Sequence, residues 1–185
     1  MTVLDLAPVW RPANHQALFR LILDAAARPG TLADLSAHLG EAPASLAALA
    51  TFCDNTQGLA DLTGTLDETA WRFLDAQRAA PEVAGFILAA GATSPTFTPR
   101  IGTLDAPEGG ATVILLVDSL TEGRPLTLSG PGIKTTNTLH VTGLAPGWLI
   151  ARSEWCADFP MGCDMVLTDA TRVAILPRTT KITEG

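Results

Sequence analysis

Apolar residues recur at helical spacing in the first third of this chain and gather into short blocks in its second half. In residues 14–28, NHQALFRLILDAAAR, the positions Ala17, Leu18, Leu21, Ile22 and Ala25 share one face of a helix. Asn14 is the expected cap, and Pro29-Gly30 ends the helix. A short extended piece follows over 31–39. A second helix is predicted over 43–54, with Pro43 in its first turn. Thr65 and Glu68 have capping-box spacing and predict the start of a third helix. A fourth is predicted from Pro146 to Trp155.

The blocks of the second half read as strands. VAGFILAA (83–90) is bounded by Pro81 and Gly91, and ATVILLVDSL (111–120) is apolar on both faces. A strand of the second kind belongs at the centre of a sheet covered from both sides. Gly123 marks a turn, after which RPLTLSG (124–130) is the expected hairpin partner. CDMVLTD (163–169) and RVAILP (172–177) flank a turn at Asp169-Ala170, and residues 59–62 form a further short strand. Residues 91–110, rich in Gly, Pro and Thr, connect elements. Helices cluster early and strands late, which predicts one α/β domain over 1–185, a mixed sheet flanked by helices.

Composition narrows the function. The 185 residues are 47% hydrophobic and 17% charged, with a net charge of −7. Ten arginines and two lysines are scattered along the chain. Nucleic acid and anionic membranes call for a basic stripe, so neither is an expected partner. A small anion remains possible, because a local site can oppose the global charge. The N-terminus MTVLDLAPVW lacks the basic and apolar regions of a signal peptide, so the cytoplasm is the expected location. Cys53, Cys156 and Cys163 form no C-x-x-C and read as free thiols. His15, His38 and His140 have no metal-like spacing, and no metal is expected.

Candidate chemistry is sparse. LSGPGIKTT (128–136) resembles a phosphate cradle, but its proline removes a backbone donor. Gly130, Pro131 and Gly132 therefore read as a structural turn. ILPRTTKI offers Arg178, able to hold a phosphate or phosphonate bidentately, with Thr179 and Thr180 adding hydroxyl donors. The same residues also fit a strand end closed by a salt bridge. Arg124 is a further anion candidate. Asp164 and Glu108 are the acid–base candidates beside Arg178, with a cap or turn as the alternative role of Asp164. Neither Lys134 nor Lys181 occupies an apolar pocket suited to a Schiff base.

Four ordered blocks carry a resemblance: APEGGATVILLVDSL (106–120), GRPLTLSGPGI (123–133), FPMGCDMVL (159–167) and AILPRTT (174–180). FRLILDAAARPG (19–30) and CDN (53–55) agree with it. Together they resemble the PhnH family of the bacterial carbon–phosphorus lyase system. The resemblance implies a fold similar to the large domain of pyridoxal-phosphate-dependent transferases, without that cofactor or its lysine. It also implies a homodimer when isolated and partners of the PhnG, PhnI and PhnJ kinds. The implied role is accessory, in forming ribose 1-phosphonate 5-triphosphate from ATP and a phosphonate. The competing reading is a stand-alone phosphonate- or nucleotide-binding enzyme acting at a homodimer interface, with Arg178 and Asp164 or Glu108 in one pocket. The stretch WRFLDAQ (71–77) departs from the family's His-Thr pair, and 134–158 matches loosely.

Overall fold

The computed structural model describes residues 6–184. Five helices and ten strands follow one another along them. Helix α1 is Pro12–Ala27, α2 Ser36–Leu39, α3 Ala44–Phe52, α4 Glu68–Leu74 and α5 Pro146–Trp155. The strands are β1 Ala33–Asp34, β2 Gly58–Asp61, β3 Gln77–Arg78, β4 Phe86–Ala90 and β5 Thr112–Leu116. They continue as β6 Ser119–Ser129, β7 Asn137–Thr142, β8 Asp164–Thr168, β9 Arg172–Leu176 and β10 Lys181–Glu184.

A seven-stranded sheet has the order β1-β9-β8-β5-β4-β2-β3, and a three-stranded one the order β10-β6-β7. In the large sheet β3, β2, β4, β5 and β8 are parallel, β9 runs antiparallel to β8, and β1 pairs antiparallel with β9 and so runs with the others. The sheet is therefore mixed, with β5 at its middle. Every residue from Val113 to Leu115 is buried, as a strand apolar on both faces requires.

Strand periodicity sorts the core into two layers. Leu59, Leu88, Ile114, Val166 and Ile175 face Leu18, Ile22, Ala47 and Ala48 of α1 and α3. Ile87, Val113, Leu115, Met165, Leu167 and Leu176 face the other way. There they meet Leu126, Leu128, Leu139 and Val141 of the small sheet, with Trp148 and Trp155 of α5. Phe97 bridges the two tryptophans, at centroid distances of 6.0 and 6.1 Å. Helices cover one face of the large sheet; the small sheet and α5 cover the other.

Several local expectations are corrected. Helix α1 starts at Pro12 behind Arg11, and Asn14 lies inside its first turn, donating from Nδ2 to Pro8 O at 2.8 Å. The 31–39 stretch is extended only over β1, because Asp34 Oδ1 accepts the Ser36 amide and turns the chain into α2. Thr65 does not cap α4. Asp61 gathers the amides of Thr63, Gly64 and Leu66, and Asp67 becomes the cap, accepting Ala70 N at 2.7 Å. The chain does not turn back at Gly123. Strand β6 runs straight through it with a register shift, and its hairpin partner is β7. The change of sheet occurs earlier: Val117 N bonds Thr168 O in the large sheet, and Asp118 N bonds Thr142 O beside the small one.

Among the described residues, no helix is long and apolar enough to cross a membrane.

Candidate functional site

The β9–β10 connection, the start of β10 and the C-terminal part of α5 meet around a cleft of about 300 Å³. Leu149, Arg152, Ser153, Cys156, Arg178, Thr180, Lys181 and Ile182 line it. Helix spacing explains the α5 side. Trp148, Arg152 and Trp155 share the buried face, and Cys156 follows Arg152 by one turn. On the other side Pro177 interrupts the strand direction, and Thr180 N bonds Pro177 O at 2.8 Å, closing a tight turn.

Arg178 is held from several directions. Its Nη2 donates to Asp164 Oδ2 at 2.8 Å, and its own amide donates to Asp164 Oδ1 at 2.7 Å. Its Nη1 donates to Pro107 O at 2.7 Å. The hydrogen bond to Asp164 raises the Arg178 pKa above its ordinary value. Gly110 makes room for Arg178, and Gly162 for Cys156. A Cβ on Gly110 would lie 3.0 Å from Arg178 Nη1, and one on Gly162 would lie 3.0 Å from Cys156 Sγ.

Arg152 lies deeper, 5% exposed. Its Nη2 donates to Pro177 O at 2.6 Å, whereas its Nε is buried with no hydrogen-bond partner. Burial lowers its pKa from the ordinary guanidinium value. Thr180, 2% exposed, has its Oγ1 in the same condition. Cys156 Sγ donates to Cys163 O at 3.5 Å. Hydrogen bonding from Cys163, with the nearby Arg152 charge adding to it, brings the Cys156 thiol down to about 6. Its partner Cys163, buried and bonded to it, is pushed the other way.

The family model described as "Bacterial phosphonate metabolism protein (PhnH)" matches residues 8–183. The chain belongs to the PhnH family.

Two relatives cover nearly the whole chain. A protein of Stutzerimonas stutzeri named "Putative C-P lyase subunit protein HtxG" is 41% identical over 174 residues, 94% of this chain and 88% of that one. A Rhizobium meliloti (strain 1021) protein named "Alpha-D-ribose 1-methylphosphonate 5-triphosphate synthase subunit PhnH" is 32% identical over 193 residues, 90% and 89% of the two chains.

The residues singled out in the sequence separate in space. Arg178, Thr180 and Asp164 come together around the cleft or behind it. Thr179 precedes Thr180 on the same turn without lining the cleft. Arg124 is on β6 opposite Val141, away from it. Glu108 is exposed in the turn Pro107–Gly109, whose first carbonyl holds Arg178. Gly130, Pro131 and Gly132 lie in a turn closed by Ile133 N on Gly130 O at 3.1 Å.

Sequence reasoning passed over Arg152. Its signal was nonetheless present: a lone arginine at the i+4 position from Trp148, on the apolar face of a predicted helix. Among the described residues, no three His, Cys, Asp or Glu side chains group to hold a metal ion.

Proposed function

We propose that this chain is a subunit of a carbon–phosphorus lyase core complex. It acts beside PhnG-, PhnI- and PhnJ-like partners in forming ribose 1-phosphonate 5-triphosphate from ATP and a phosphonate. The observation that carries this reading is the near full-length identity to a relative named as a C-P lyase subunit. The second relative's name supplies the kind of product, a ribose 1-methylphosphonate 5-triphosphate.

Exposed apolar side chains support a subunit role. Phe19 and Leu23 stand one turn apart on α1 and are 49% and 54% exposed. The proposal includes a homodimer when the chain is isolated, a cytoplasmic location, one folding unit, and a fold like the large domain of pyridoxal-phosphate-dependent transferases without the cofactor. Within it, the sequence candidates Arg178, Thr179, Thr180 and Arg124 for anion contact, and Asp164 and Glu108 for proton transfer, remain to be tested one by one. Arg178 and Asp164 spend their strongest bonds on each other, which favours the accessory role over a stand-alone enzyme.

Co-expression with the partner chains, followed by affinity capture and size analysis, tests the reading. Stable co-purification and phosphonate-dependent adenine release from ATP are expected. A homodimer that ignores those partners, yet binds phosphonate by itself, would favour the stand-alone enzyme.

A further inference from the structure

We propose that the cleft between the end of α5 and the β9–β10 connection binds a tetrahedral oxyanion, a phosphonate or a phosphate group, through Arg152, Thr180 and Lys181. This goes beyond the subunit reading and stands without it.

Unsatisfied donors carry the inference. Buried polar side-chain atoms are nearly always hydrogen-bonded, and each orphan asks for an explanation. Leaving one unpaired costs about 1–3 kcal/mol, and more when it is charged. Among the described residues five such atoms occur, and two of them, Arg152 Nε and Thr180 Oγ1, belong to residues lining this one cleft. They come from different elements, so no single local irregularity explains both. A guanidinium and a hydroxyl from residues lining one cleft suit a tetrahedral anion, which accepts from both at once.

Charge points the same way. The chain carries −7 overall, yet among the described residues Arg152, Arg178 and Lys181 all line the cleft and no carboxylate does. Arg178 is neutralised by Asp164 behind it, which leaves Arg152 and Lys181 as the local positive charge. The C-terminal end of α5 opposes an anion with about half a negative charge. Two full cations outweigh that charge and the Cys156 thiolate together. Lys181 is exposed and Arg152 is buried, so the positive charge of the cleft comes from one surface and one interior side chain.

Size limits the ligand. Small-molecule sites run from about 300 to 1,000 Å³, and this cleft is at the lower bound. It suits a phosphonate headgroup or the end of a polyphosphate tail better than an enclosed nucleoside. Cys156 lines the same space, so a bound anion would both shield its sulfur and compete with its thiolate for the Arg152 charge.

That competition supplies the test. Alkylation of Cys156 by iodoacetamide, followed site by site with mass spectrometry, is measured on the isolated chain with methylphosphonate, inorganic phosphate or tripolyphosphate, alongside titration calorimetry. The expected result is saturable heat and a matching slowing of Cys156 alkylation. The midpoint should weaken about tenfold in Thr180→Val and in Lys181→Ala, the loss of one charge-assisted hydrogen bond. These two variants avoid the buried Arg152, whose removal risks the fold. Strongest protection by methylphosphonate assigns the cleft to phosphonates; strongest protection by tripolyphosphate assigns it to a nucleotide's phosphate tail. No heat and no protection by any of the three, or protection unchanged in both variants, overturns the proposal.

Discussion

Arg178 and Asp164 are joined twice, once through the side chain at 2.8 Å and once through the Arg178 backbone amide at 2.7 Å. The pair ties the start of β8 to the segment leaving β9, and Arg178 extends the tie to the Pro107 carbonyl. A phosphate-binding arginine and a structural arginine look alike in sequence. This one closes a corner between three chain segments.

That geometry makes Arg178→Ala a stability variant. With the Arg178 side chain 14% exposed and Asp164 33% exposed, the loss should be about 2 kcal/mol. A urea midpoint that falls at constant slope reports it. Combining Arg178→Ala with Asp164→Ala should be less damaging than the sum of the two. A variant of unchanged stability that has lost phosphonate binding would instead return Arg178 to the anion site.

Cys156 should be the reactive thiol of the molecule. Its pKa of about 6 leaves it largely thiolate at neutral pH, and the alkylation rate should fall off below that value as the thiol reprotonates. Cys163→Ala removes the largest cause of the depression, so the midpoint should move toward the ordinary thiol range. A midpoint near 9 in the unaltered chain would overturn this assignment.

Cys53 predicts a loss of stability in alkali. Burial, with Asp54 adding to it, pushes this thiol from 9.0 up to about 12. Between those values the unfolded chain has released the proton that the folded chain still holds. Stability therefore falls as pH rises, by about 1.4 kcal/mol per pH unit from this group. The slope of unfolding free energy against pH, from 9 to 11, should be shallower in Cys53→Ser than in the unaltered chain.

Gly132→Ala tests the turn at GPGI. Gly132 has φ +81°, and a Cβ there would collide with Ala27 O and lie 3.0 Å from Pro29 Cδ. The substitution should cost more than about 1 kcal/mol, whereas Pro131→Ala should cost less. Thermal unfolding of the two variants separates a turn packed on the end of α1 from a solvent-exposed loop.

Asp67→Ala should lower stability by about 1 kcal/mol through loss of the α4 cap, while Thr65→Ala should leave α4 intact. Denaturant titration of both variants decides which residue starts the helix.

Much of this protein is legible without coordinates, because local forces dictate it. The apolar face of α1, the limits of α5, the buried centre of β5 and the turn between β8 and β9 follow from periodicity, proline placement and β-branched runs. The family, too, is carried by ordered blocks of sequence. What local pattern does not contain is which strand pairs with which. The chain crosses from the large sheet to the small one at Val117 and Asp118, and β6 then pairs with β7 and β10. That choice depends on burying Leu126, Leu128, Leu139 and Val141 against the large sheet, a contact between segments distant in sequence. The cleft is of the same kind. Arg152 on a helix, and Thr180 and Lys181 after a strand, become neighbours only when α5 packs beside the β9–β10 connection. Residue type identified the possible donors. Tertiary packing alone decided that Arg178 would meet Asp164, and that Arg152 and Thr180 would line one cleft.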